Sequence, residues 1–252
     1  MKFRALIASV AFTVLGTVIA GAADIAVKAP PPPPPPVFSW TGFYIGANIG
    51  GAWTRSGWTD TRFLTTSDTV SNSVFIGGGQ IGGNYQIAQF VIGGEWDFDG
   101  ASNINGGASI PGDIVVTNSN TRWITTVAAR FGWAIDHFLV YGKAGGGWVG
   151  NNNLTISNLT TGVSFNCGTF NGCGNNSGGW LVGAGFEYAF TNNWTAKIEY
   201  DYLGLGNRTF VIPATFPIVA LAGDTFTSNS RNISMVKIGF NYLFNWGAPS
   251  RY

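Results

Sequence analysis

The stretch RWITTVAARFGWAIDHFLVYGKAGGGWV, residues 122 to 149, decides the fold. Two alternating segments, Arg122 to Ile135 and Phe138 to Val149, meet at the two-residue junction Asp136-His137. Successive side chains of a strand point to opposite faces. In the first segment one parity carries Trp123, Val127, Ala129, Phe131, Trp133 and Ile135, and the other carries Arg122 and Arg130. A strand with aromatics on one face and charge on the other is amphipathic, and each segment is about as long as a tilted strand that crosses a bilayer.

The same pattern recurs outward from this stretch in both directions. Eight segments alternate in this way: Phe43 to Trp53, Val74 to Gln86, Phe90 to Phe98, Arg122 to Ile135, Phe138 to Val149, Trp180 to Phe190, Trp194 to Tyr202 and Arg231 to Phe244. Short connections fall at Ile87 to Gln89, Asp136 to His137 and Thr191 to Asn193. Long ones fall at Thr54 to Ser73, Asp99 to Thr121, Gly150 to Gly179 and Leu203 to Ser230. An even strand number with short turns at one end and long loops at the other predicts an all-β fold, an eight-stranded antiparallel up-and-down transmembrane barrel. An N-terminal start on the periplasmic side puts the four long loops outside.

Splitting every segment by parity gives one uncharged face. It carries Phe43, Ile45, Ala47, Ile49 and Trp53 in the first strand, Trp180, Val182, Ala184, Phe186, Tyr188 and Phe190 in the sixth, and Val236, Ile238, Phe240, Tyr242 and Phe244 in the last. The opposite face carries the acids Glu95, Asp97, Asp99, Glu187, Glu199 and Asp201 with the bases Arg122, Arg130, Lys143, Lys197, Arg231 and Lys237. This predicts an interior network of six acids balanced by six bases. A lysine or arginine on the lipid face at the midplane would cost roughly 2 to 4 kcal/mol, so the segregation suits insertion. A water-soluble barrel would show the reverse arrangement. Tryptophans agree: Trp53, Trp96, Trp123, Trp148 and Trp180 lie at strand ends beside long loops, and Trp133, Trp194 and Trp246 lie beside the short turns or the C-terminus, as two interface girdles would.

Composition points the same way. Glycine (37), tryptophan (10) and phenylalanine (19) are abundant, whereas charged residues make up 10%, too few to solvate the surface of a soluble domain of 252 residues. Beyond the extreme N-terminus no apolar run is long enough for a membrane-crossing helix. Residues 1–22 read as a signal peptide, with Lys2 and Arg4 before an apolar stretch from Ala5 to Ile19 and a cleavage site at Ala20-Gly21-Ala22. Removing those two bases leaves 11 against 12 acids, a near-neutral chain without the basic footprint that nucleic acid requires. Residues 23–39 form a proline-rich periplasmic spacer in which Pro30 to Pro36 adopt extended polyproline II. The barrel is expected over 40–246 and a short tail over 247–252. Cys167 and Cys173, close together in a Gly/Asn-rich loop of an exported chain, predict a small loop-closing disulfide.

The opening Trp40-Thr41-Gly42-Phe43-Tyr44-Ile45-Gly46, the closing Lys237-Ile238-Gly239-Phe240-Asn241-Tyr242-Leu243-Phe244, and the start at Ala23 and Asp24 with its proline run resemble those of the porin-family, or outer-membrane immunogenic, proteins of Gram-negative bacteria. The chain also resembles, more distantly, the membrane domain of outer-membrane protein A. The resemblance implies an outer-membrane location and a surface-antigen character. It also implies that Lys237, Gly239, Phe240, Tyr242 and Phe244 belong to a signal read by the outer-membrane assembly machinery.

Three functions can be set against these residues. A structural surface protein, with the barrel as anchor and the loops meeting the environment, fits rigid scaffolds that carry function on loops. A small-solute or ion-conducting porin is the alternative, disfavoured because eight strands enclose an interior that side chains fill. An enzyme is not expected: His137, the single histidine, lies in a short turn beside Asp136, and no nucleophile with a poised base is apparent. Gly77, Gly79 and Gly82 spell a G-x-G-x-x-G within a strand pattern with no helix following, so no dinucleotide site is expected. No catalytic residue, metal or cofactor is predicted. The expected partners are outer-membrane lipid and lipopolysaccharide and the assembly machinery, with peptidoglycan or host-surface contact left open to the spacer and loops.

Overall fold

The computed structural model describes residues 38–60, 70–110, 114–151, 154–166, 176–211 and 225–244. The expected signal peptide, the proline run, both cysteines and the expected C-terminal tail lie outside the described residues. Eleven strands occur among the described residues: β1 (Gly42–Asp60), β2 (Val70–Ile87), β3 (Phe90–Ile110), β4 (Ile114–Ile135), β5 (Phe138–Asn151), β6 (Leu154–Asn158), β7 (Ser164–Asn166), β8 (Asn176–Ala189), β9 (Trp194–Leu205), β10 (Arg208–Val211) and β11 (Thr225–Phe244).

Eight of these make the barrel, each antiparallel to both neighbours in the order β1, β2, β3, β4, β5, β8, β9, β11. The ring closes where β11 pairs with β1, from Phe43 opposite Phe244 upward. Closure leaves no unpaired edge in the wall, the condition for backbone to pass through hydrocarbon. These are the eight segments expected from the alternation.

The strands outrun those segments at the long-loop end. β3 extends to Ile110 and β4 begins at Ile114, so most of the expected loop from Asp99 to Thr121 is a continued hairpin. β6 adds to β4, β7 to β6, and β10 to β11. Alternation of apolar residues marks a strand only where one face meets lipid or core. The Thr, Asn and Ser of these extensions keep the backbone ladder without that mark.

The three short turns need little chain. Ala88 and Asp136 take positive φ (55° and 50°), which lets two-residue turns reverse the strand direction. The barrel also takes in Phe38 and Ser39, assigned above to the spacer. Phe38 stacks on His137 with ring centroids 5.0 Å apart and packs edge-on against Trp40, which is buried. Trp40 donates its ring N–H to the Asp136 carbonyl (3.3 Å) and its backbone N–H to Gln86 Oε1 (2.8 Å), holding this strap across the turn end.

Parity decides what each strand buries. On β3, Glu95, Asp97 and Asp99 are buried while Trp96 and Phe98 are about half exposed (48% and 49%). The outside is a continuous apolar band, with Phe43, Ile45, Phe131, Phe186, Ile238 and Phe240 all exposed. Such a surface needs an apolar solvent.

A layered interior with an ion-pair lattice

The inward residues of β9, read from the short-turn end, are Thr195, Lys197, Glu199, Asp201, Leu203 and Leu205, and all are buried. Polar residues come first, then charges, then aliphatics. β5 and β11 run from Leu139 and Leu243 at the turn end through Lys143 and Lys237 to Val149 and Ile233 at the loop end, so the interior has layers. At the turn end an apolar floor joins Phe38, Trp40, Val91, Leu139 and Leu243 with the rings of Tyr44 and Tyr141. At the loop end an aliphatic layer joins Ile76, Ile124, Leu181, Leu203, Ile233 and Met235. Between them lies the charge.

Four cations organise this middle layer. Lys143 Nζ contacts Glu199 (2.7 Å), Asp201 (3.1 Å), Glu95 (3.3 Å) and Asp97 (3.5 Å). Lys237 Nζ contacts Asp97 (3.0 Å), Asp201 (3.1 Å), Glu199 (3.4 Å) and Asp99 (3.6 Å). Lys197 Nζ lies 2.9 Å from Glu95 and 3.5 Å from Glu199. The Arg130 guanidinium contacts Glu187 at 2.7 Å and Glu95 at 3.3 Å.

Arg130 is clamped by two tyrosines. Its guanidinium carbon sits 3.9 Å from the Tyr141 ring centroid, and Nη1 donates to the Tyr44 hydroxyl at 2.5 Å. Each phenol in turn donates to a carboxylate, Tyr44 to Glu95 and Tyr141 to Glu199, both at 2.8 Å. Inward-facing glycines make room for the phenols: a Cβ on Gly185 would lie 2.6 Å from the Tyr141 hydroxyl, and one on Gly82 would overlap Tyr44. An amide relay runs beside the lattice. Asn48 donates to Gln80 (2.8 Å), Gln80 to Asn241 (2.7 Å), and Asn241 to Glu187 (2.7 Å), which also accepts from Thr195. Because Glu187 can only accept, it fixes the direction of every amide in the relay.

Of the expected network, the structure brings together Glu95, Asp97, Arg130, Lys143, Glu187, Lys197, Glu199, Asp201 and Lys237, with Asp99. Arg122 is a correction. The register of β4 shifts between Thr121 and Trp123, opposite Asn151 and Gly150, so Arg122 falls in a bulge and is exposed. A bulge breaks the two-residue parity on which the inward placement relied. Arg231 is buried, but at the loop end of β11 beyond Ile233 and Met235, separated from the ion pairs by the aliphatic layer. Six carboxylates therefore meet four cations in the lattice, not six. Asp99 and Asp201 carry the cost, since none of their carboxylate oxygens accepts a hydrogen bond.

Oxygens of Glu95, Asp97 and Glu199 lie within 4.8 Å of one another, a spacing that could suit a metal ion. Lysine ammonium groups already stand at that position, and they supply the positive charge. Tyr44, Tyr141, Asn48, Gln80, Asn241 and the aliphatic layer were not part of the interior network expected from the sequence. The available signal was parity: Tyr44 lies between the outward Phe43 and Ile45, and Leu203 continues the inward series of β9.

Known proteins resemble the chain along most of its length. The family described as outer membrane protein beta-barrel domain matches residues 10–244. The 31 kDa outer-membrane immunogenic protein of Brucella melitensis is 34% identical over 243 residues, covering 88% of this chain and 92% of that protein. A 22 kDa outer membrane protein of Rhizobium leguminosarum is 30% identical over 177 residues, covering 68% and 67%. Among solved structures, the outer membrane protein OprG from Pseudomonas aeruginosa shares the fold with a TM-score of 0.54 at 13% identity, covering 82% of this chain and 99% of that one. With the closed ring, the apolar exterior and these matches, the chain is an outer-membrane protein that belongs to the outer membrane β-barrel family.

Proposed function

We propose that this barrel is a closed membrane anchor whose long loops face the outside of the cell and contribute to envelope integrity and surface interaction. The observation that carries this reading is the layered interior, in which, among the described residues, the ion lattice lies between an apolar floor and an aliphatic layer, an arrangement that favours a filled barrel over a channel. Water or a hydrated ion would have to cross both apolar layers and break ion pairs in which Lys143, Lys197 and Lys237 are buried. The same layers keep the carboxylates from any substrate, which supports a non-enzymatic role. His137 stacks on Phe38 at the turn end, a structural place. Export through the signal peptide, delivery by the assembly machinery through the closing strand, and the disulfide between Cys167 and Cys173 belong to the same proposal.

The test is planar-bilayer conductance of the folded protein. Silence is expected, and large stable openings would overturn the reading. An epitope placed between residues 61 and 69, probed on intact cells, tests the loops-out orientation separately.

A conducting porin is the second reading, favoured by one observation. The surplus of carboxylates over cations in the lattice would make any leak select cations.

A further inference from the structure

The two apolar layers of the interior are built differently. At the loop end, every buried member of the aliphatic layer, from Ala52 to Met235, belongs to a strand of the ring. At the turn end, Phe38 and Trp40 belong to the floor but precede β1, whose ladders begin with Gly42 opposite Asn84 and Phe43 opposite Phe244. Across the ring from β1, the floor includes Ala134 of β4 and Ala189 of β8, small side chains that leave room for the two aromatics. Strand residues alone therefore complete one layer and not the other.

Residues 38–41 cross the mouth. The chain bends at Gly42 (φ 152°), where a Cβ would overlap the Phe244 carbonyl oxygen, so the bend requires glycine. Beside the bend, Gln86 of β2 accepts the Trp40 backbone N–H at Oε1 (2.8 Å) and donates its own backbone N–H to Thr41 Oγ1 (3.0 Å). The other end rests on the turn between β4 and β5, the strands across the ring from β1. There the indole N–H of Trp40 reaches the Asp136 carbonyl (3.3 Å), and the Phe38 ring stacks on His137 at an interplanar angle of 27°. A wall strand can leave only by breaking a ladder on each side, whereas this segment is held by side-chain hydrogen bonds and ring contacts. Segments with so few ties open locally while the ladders around them stay intact.

We propose that residues 38–41 form a lid hinged at Gly42, which closes the turn-end mouth over the ion lattice and lifts while the eight-stranded ring stays closed. The raised lid admits small solutes to the floor and to the lattice behind it from the turn end only. In this the inference rests on the closed-anchor reading, since the aliphatic layer, made of strand residues, stays in place. The proline-rich stretch joins the chain at the lid, so a load on that stretch acts on the lid before it reaches β1.

Two measurements on the purified, folded full chain test this. In the wild type, the Trp40 amide should exchange its hydrogen about tenfold or more faster than the ladder amides of β1, at a rate that urea below the unfolding transition leaves unchanged. Exchange as slow as that of β1, or accelerated by urea in step with it, overturns the proposal. For the second, Ala134→Cys, on the inward face beside the Asp136 turn, is made the single cysteine by Cys167→Ser and Cys173→Ser and labelled with a small charged thiol reagent. Adding Phe38→Ala/Trp40→Ala should raise the labelling rate about tenfold while the heat-modifiable gel band still reports a folded ring. An equal rate would show that the wall closes the mouth unaided, and the lid would be rejected. If that variant does not fold, Gln86→Ala, which removes the acceptor of the Trp40 N–H and keeps both aromatics, must speed both labelling and Trp40 exchange. Unchanged rates there reject the lid as well. Bilayer conductance keeps the two readings apart: openings of the wild type would overturn the closed anchor, whereas the exchange and labelling rates decide the lid.

Discussion

Glu95 and Asp201 are both buried carboxylates of the lattice, yet their removal should have opposite effects. Glu95 receives Lys197, Lys143, Arg130 and the Tyr44 hydroxyl. Glu95→Gln removes the charge on which Lys197, Lys143 and Arg130 converge, and breaking such pairs costs about 3 to 5 kcal/mol. Asp201 touches Lys143 and Lys237, each of which has three other carboxylates nearby, and its oxygens accept no hydrogen bond. Asp201→Asn relieves a surplus negative charge and should leave the urea midpoint of unfolding unchanged or raise it. Parallel urea titrations of the two variants decide this. A loss at Asp201 equal to that at Glu95 would show that the lattice needs all six acids. Charge placement by parity was legible in the sequence at this scale. The pairing of those charges was not, because partners such as Lys237 and Asp97 are 140 residues apart and meet only when the ring has closed.

At the scale of elements, each strand serves lipid and lattice with alternate residues, and the two faces can be probed independently. Phe240, in β11, is exposed on the outer wall opposite Ala47 and Ala196. Phe240→Lys should destabilise the barrel by about 2 to 4 kcal/mol, the cost of a cation near the bilayer midplane. Folding into lipid vesicles, read by gel migration, measures it, and a neutral outcome would place Phe240 away from hydrocarbon. On the inner face, Leu203 is fully buried in the aliphatic layer, and Leu203→Ala should cost about 2 to 5 kcal/mol. Strand number and order were legible because apolar alternation extends through every membrane segment. The continuations of β3 and β4 and the bulge at Arg122 were not. Both depend on backbone pairing, to which a single strand's side-chain pattern is blind.

For the whole molecule, the buried lattice predicts a weak response to salt. Ions screen charges they can approach, over a Debye length of about 3 Å at about 1 M and about 30 Å at about 0.01 M. Lys143, Lys197 and Lys237 are buried with their carboxylates, so the urea midpoint should move little across that range. A steep fall with salt would reveal solvent inside the barrel and favour the porin reading. Conductance silence and salt insensitivity thus report on the same two apolar layers by independent routes.

The sequence by itself determined the closed eight-stranded architecture, the lipid-facing surface and the inward placement of most charges, because a two-residue period and the cost of charge in hydrocarbon act strand by strand. The tertiary structure decided the rest. Closing the ring set which charges meet, left six acids to four cations in the lattice, left Arg122 exposed at a shift in register, and stacked the charged layer between apolar ones. These are properties of pairing across the barrel, and no single strand contains the information to fix them.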